Sequence, residues 1–105
     1  MGVDYKWGGS AGGIRFGQEI DRVAKVFGGK RIEGSKGPNK FGLPDGTNPC
    51  VVKFFDNLYG PLSIDETKEV WNEFQKHPEI EEIMPEMWNE FKCDAKYDEG
   101  FELSY

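Results

Sequence analysis

The stretch Asn48-Pro49-Cys50-Val51-Val52-Lys53-Phe54-Phe55-Asp56-Asn57-Leu58-Tyr59-Gly60-Pro61 decides the fold. The Asn48 side chain can accept from an orphan backbone amide, and Pro49 at the first helical position removes a donor that would have no partner there. Val51, Val52, Phe54, Phe55, Leu58 and Tyr59 then cover most of a helix circumference before Gly60-Pro61 ends it. A helix apolar on nearly every side belongs at the centre of a core, so the rest of the chain is expected to pack around it. A buried strand over 50–55 is the competing reading, and the caps at both ends oppose it.

Downstream, Ser63-Ile64-Asp65-Glu66 has the capping-box spacing, in which the hydroxyl serves one amide and the glutamate reaches back to another. A helix is expected from there to about Lys76, with Ile64, Thr67, Val70, Trp71 and Phe74 on its buried edge. After His77-Pro78 the residues Ile80, Met84, Met87, Trp88 and Phe91 keep one helical phase through Pro85, which falls on the opposite side. A kinked or two-piece helix follows from that pattern, with its packing face intact. Phe101 to Tyr105 reads as a last strand, pairing with 3–7 or with 93–97.

Upstream, Val3 to Trp7 alternates apolar and polar residues, which suits a half-buried strand with Val3, Tyr5 and Trp7 inward. Phe16, Ile20, Val23, Ala24 and Phe27 recur at helical spacing, so a helix over about 16–27 is expected, stopped by Gly28-Gly29. Between 28 and 47 only Lys30 to Glu33 and Lys40 to Leu43 look able to extend. The sum is one α+β domain over 1–105, with about four helices and a small antiparallel sheet of two or three strands. At 105 residues the chain is too short to divide into two self-sufficient cores.

Charge is divided along the chain. Residues 1–62 carry nine Lys and Arg against six Asp and Glu, and residues 63–105 carry four against thirteen, balances of +3 and −9. Thirteen of the fourteen glycines lie in the first part, so turns concentrate there and helices in the second. No apolar run approaches the roughly 18 to 20 residues of a membrane span, and no export signal is visible, so the cytoplasm is the expected compartment. Cys50 and Cys93 are expected as free thiols there. With one histidine, His77, beside these two cysteines, no ligand set with metal spacing exists, and no metal or cofactor is expected.

Motifs that carry chemistry are scarce. Gly8-Gly9-Ser10-Ala11-Gly12-Gly13 precedes a helix, where backbone amides attract phosphate, yet it matches neither the Walker pattern nor G-x-G-x-x-G. Lys30, Arg31, Lys36 and Lys40 form a basic segment, but only Phe41 stands among them to stack a base, so nucleic acid is not an expected partner. His77 precedes Pro78 at a helix junction, and neither cysteine has a strongly basic setting, so no catalytic constellation is legible.

The sharpest feature is acidic. Glu79, Glu82, Glu86 and Glu90 fall within about 80° of one another on a helix, and Glu66, Glu69 and Glu73 make a similar line one helix earlier. Like charges at that spacing cost roughly 0.2 to 0.5 kcal/mol per pair. A solubilising surface is the simplest account of them. The functional account is a small acidic binding protein that inhibits or neutralises a basic protein partner, as toxin-immunity and phage counter-defence proteins of this size do; size and charge alone carry that analogy. The alternative is a small-molecule or nucleotide-binding domain using the Gly8–Gly13 loop and the Lys30–Lys40 segment.

Overall fold

The computed structural model describes residues 2–32 and 41–104, and the elements run β1 (Gly2–Asp4), β2 (Ser10–Gly12), α1 (Gly13–Val26), β3 (Lys30–Arg31), β4 (Phe41–Gly42), α2 (Pro49–Asp56), α3 (Ile64–Gln75), α4 (Glu79–Ile83) and α5 (Pro85–Lys96). The fold is α+β, with five helices and two antiparallel two-stranded sheets among the described residues.

The local start signals act as the sequence indicates. Asn48 Oδ1 accepts from the Cys50 amide at 2.8 Å, with Pro49 opening α2. At α3 the Ser63 hydroxyl accepts from the Glu66 amide at 3.1 Å and Glu66 Oε1 accepts from the Ser63 amide at 2.9 Å. Pro85 lacks an N–H and splits the last helical stretch, so Met84 leaves the helical region at φ −145° and α5 begins directly after it. Ile80, Met84, Met87 and Phe91 are nevertheless all fully buried, because the proline points away from their shared face.

Tertiary structure alters four expectations. First, α2 stops at Asp56, and Leu58 reaches the core from the turn beyond it. Second, Ile64 is 42% exposed: it stands at the first helical position, a full turn before α3 meets its neighbours. Third, the alternating N-terminal stretch pairs only over β1, against the glycine-rich residues that precede α1. The register is Gly2↔Gly12, Val3↔Ala11 and Asp4↔Ser10. Gly8 and Gly9, at φ +108° and +92°, reverse the chain between them, and the Tyr5 amide donates to Gly9 O at 3.0 Å. Fourth, the C-terminal strand reduces to one bridge, Asp4↔Ser104, and 93–97 cannot pair with it because α5 runs to Lys96. Of the two stretches expected to extend between 28 and 47, Lys30–Arg31 pairs with Phe41–Gly42, whereas Glu33, Lys36 and Lys40 lie outside the described residues.

The core surrounds α2. Phe54 meets Phe55, Phe74, Phe91 and Phe101 with ring centroids 4.9, 6.0, 5.2 and 5.5 Å away, and Phe91 stacks on Phe101 at 4.5 Å. The C-terminal segment is laid along 59–62 by bonds from the Leu62 amide to Phe101 O and from the Leu103 amide to Tyr59 O, both 3.0 Å. Gly60 makes that approach possible: it sits at φ +78°, and a Cβ there would stand 2.5 Å from Phe101 O. Gly60→Ala is therefore expected to cost about 2 kcal/mol, through left-handed backbone strain plus displacement of the C-terminal segment. Urea melts give the value, and an unchanged midpoint would refute the close-approach account.

Candidate functional site

The seven glutamates of the acidic rows do not share one environment. On α3, Glu66 accepts from Lys53 Nζ at 2.7 Å while capping its own helix. The Lys53 bond first, then the Ser63 amide, hold its carboxyl below the usual range. Glu73 pairs with Lys76 at 2.7 Å, and Glu69, exposed, accepts from Asn48 Nδ2 at 3.3 Å. On α4, Glu79 and Glu82 are exposed, and the His77 imidazole lies 3.5 Å from Glu79. On α5, Glu86 is half-buried and bonded to Arg15 at 3.0 Å.

Glu90 does not belong to an accessible row. Its side chain has no solvent exposure, because Met87, Phe91 and Asp94 share its side of α5 and that side faces inward. The Lys6 amide donates to Glu90 Oε1 at 2.9 Å. One turn on, Asp94 Oδ1 accepts from Lys6 Nζ at 3.0 Å and from Trp7 Nε1 at 2.8 Å, and the same ammonium donates to Gly100 O at 3.0 Å. Glu90 Oε2 and Asp94 Oδ2 are buried without a hydrogen-bond partner among the described residues.

Burial pushes the Glu90 carboxyl up to about 8; the hydrogen bond to Asp94 and its charge add to this, against the pull of Lys6. Burial thus favours a proton held within the pair, and the second oxygens of Glu90 and Asp94 are the atoms left to share it. Burial alone would lower the Lys6 ammonium, but the Asp94 hydrogen bond and charge, with Glu90 and Glu99, raise it instead. Both carboxyls have no solvent exposure, and through Lys6 and Trp7 the pair fastens the N-terminal hairpin to α5. The residues after β1 and the end of α5 are thus joined by groups about ninety positions apart, which no local pattern reveals. The available sequence signal was the Glu90–Asp94 spacing of one helical turn on the flank of the Met87–Phe91 stripe.

The other candidates are arranged as follows. Gly8 and Gly9 form the hairpin turn, Gly12 caps α1 without a side-chain bond, and the nearest guanidinium, Arg15, donates to Ser10 O at 2.7 Å as well as to Glu86. Arg31 is paired with Asp21 at 2.7 Å and lies over the Phe41 ring at 4.9 Å. His77 packs edge-on against Phe27, centroids 5.1 Å apart. Cys50 and Cys93 are unpaired and half-buried; burial first, then Glu66 and Glu69, raise the Cys50 thiol, which weakens it as a nucleophile. Among the described residues no group of three His, Cys, Asp or Glu side chains could hold a metal ion, and no helix is long and apolar enough to cross a membrane.

Comparison with protein-family models, with curated proteins and with solved structures finds no match to this chain.

Proposed function

We propose that this chain is a small acidic binding protein that engages a basic protein partner, as an inhibitor or immunity-type neutraliser does, through the exposed carboxylates of α3 and α4. The observation that supports this reading is the division among the seven glutamates. Glu66, Glu73 and Glu86 have lysine or arginine partners within the fold and Glu90 is internal, whereas Glu69, Glu79 and Glu82 face solvent without a lysine or arginine partner among the described residues. Glu81 is a further exposed carboxylate in the first turn of α4. Carboxylates left open in this way accelerate encounter with a cationic surface and cost the fold little.

The test is the triple variant Glu69→Gln, Glu79→Gln, Glu82→Gln. Affinity capture with the wild type supplies partners, and association rates are then compared at low and moderate salt. The variant is expected to keep or slightly raise its thermal stability, because like-charge repulsion is relieved, while associating several-fold more slowly with a flatter salt dependence. Equal rates and equal salt slopes would remove the acidic face as the binding surface.

A further inference from the structure

We propose that the groove between α3 and α5 is a binding site for a small planar anion, an aromatic ring carrying a carboxylate, sulfonate or phosphate. The groove is open to solvent, has a volume of about 470 Å³ and is lined by Lys68, Trp71 and Asn72 from α3 and by Lys92, Ala95 and Lys96 from α5. Residues 63–105 hold only four lysines and no arginine among thirteen acids, and three of the four meet here. The most acidic part of the protein therefore contains one locally cationic rim, around a floor of Trp71 and Ala95.

The fold accounts for the floor and for two of the three rim lysines, but not for Lys92. Trp71 is held edge-on by Trp88, centroids 4.8 Å apart, which fixes the indole where α3 crosses α5. Lys96 stands in the last turn of α5, where a helix favours a cation, and it also lies 5.3 Å from the Tyr97 ring centroid. Lys68, in the interior of α3, is drawn to the groove mouth by its ion pair with Asp98, just beyond α5. Lys92 makes no ion pair among the described residues and stands one turn from Lys96, a like-charge spacing that works against the helix. A bound anion would relieve that repulsion and bridge the two helices.

The volume falls within the range of small-ligand pockets, roughly 300 to 1,000 Å³. The floor offers a ring the indole and a methyl group, and the rim offers its acid group two or three ammonium donors. This site is separate from the exposed carboxylates of α3 and α4, and neither proposal depends on the other.

The experiment is a titration of isotope-labelled protein, followed by amide and indole N–H resonances, with naphthalene-1-sulfonate and, in parallel, 1-naphthylmethylammonium. The sulfonate is expected to shift the Trp71 indole and the Lys92 and Lys96 amides saturably, and the cation with the same ring to bind much more weakly. Lys92→Gln with Lys96→Gln, both at exposed positions, is expected to weaken the sulfonate about fivefold to tenfold at low salt with the melting temperature unchanged, the magnitude of two exposed charge pairs. The Glu69, Glu79 and Glu82 variant should bind the sulfonate as the wild type does. Equal binding of the two probes, or saturable shifts centred elsewhere, would overturn the proposal on the wild-type protein alone.

Discussion

Phe54→Ala is expected to destabilise the domain by about 3 to 5 kcal/mol, the cost of a large cavity in a core that cannot close over it. Phe54 has no exposed surface, and the four rings around it come from α2 itself, α3, α5 and the C-terminal segment. Those elements are held in place by other bonds, including the capping box of α3 and the Thr67 hydroxyl that accepts from the Phe101 amide at 2.8 Å. Collapse into the void is therefore resisted, which puts the cost at the upper part of the usual range. A domain of this size has about 5 to 15 kcal/mol in total, so the variant is marginal at best. Denaturant melts at pH 6 give the number. Phe55, also fully buried, should behave similarly, whereas half-buried Val52 should lose far less on truncation. A loss below about 1 kcal/mol at Phe54 would displace it from the centre of the core.

The sequence made legible whatever was decided within a turn or two of helix. Asn48-Pro49, Ser63 to Glu66 and the phase held across Pro85 each needed only neighbours on the same element, and each appears at its expected place. The N-terminal hairpin was hidden because Ser10-Ala11-Gly12 has no strand character of its own; it is extended because Val3 and Ala11 bury together across the register. The acidic row on 79–90 is interrupted and divided: Met84 leaves the helical region, so Glu79 and Glu82 share no continuous helix with Glu86 and Glu90, and an angle between side chains does not say which side meets solvent. Glu90 lies 84 residues from Lys6, whose amide meets it, and that distant partner decides its place. The lysine-rimmed groove leaves no local pattern for the same reason: Lys68 is separated from Lys92 and Lys96 by most of two helices.

The buried carboxyl pair implies that the domain is less stable at pH 8 than at pH 5, by about 3 kcal/mol. Glu90 rises from an ordinary 4.5 to about 8 on folding. Between those values the folded chain holds a proton that the unfolded chain has released, so stability falls as pH rises; the contribution is complete below 4.5 and lost as pH passes 8. The other groups shifted on folding act with it or outside this window. Glu19 on α1 is also raised, by burial first and against Arg15, and contributes with the same sign just above its ordinary value. Lys6 is raised from 10.5, so its contribution persists throughout and declines only in stronger base. Buried Tyr5, raised by burial and by Glu86 and Glu19, stays neutral well above pH 8. Glu66, lowered, loses its contribution only in acid below 4.5. Glu90→Gln separates this account from a general effect of net charge, because glutamine keeps an acceptor for the Lys6 amide and offers Asp94 a donor that does not titrate. Denaturant melts across pH 5 to 8 should fall steeply for the wild type and stay nearly level for the variant. Parallel slopes would show that the proton lost in that interval does not come from Glu90, and that Lys6 holds the pair fully ionised inside the fold.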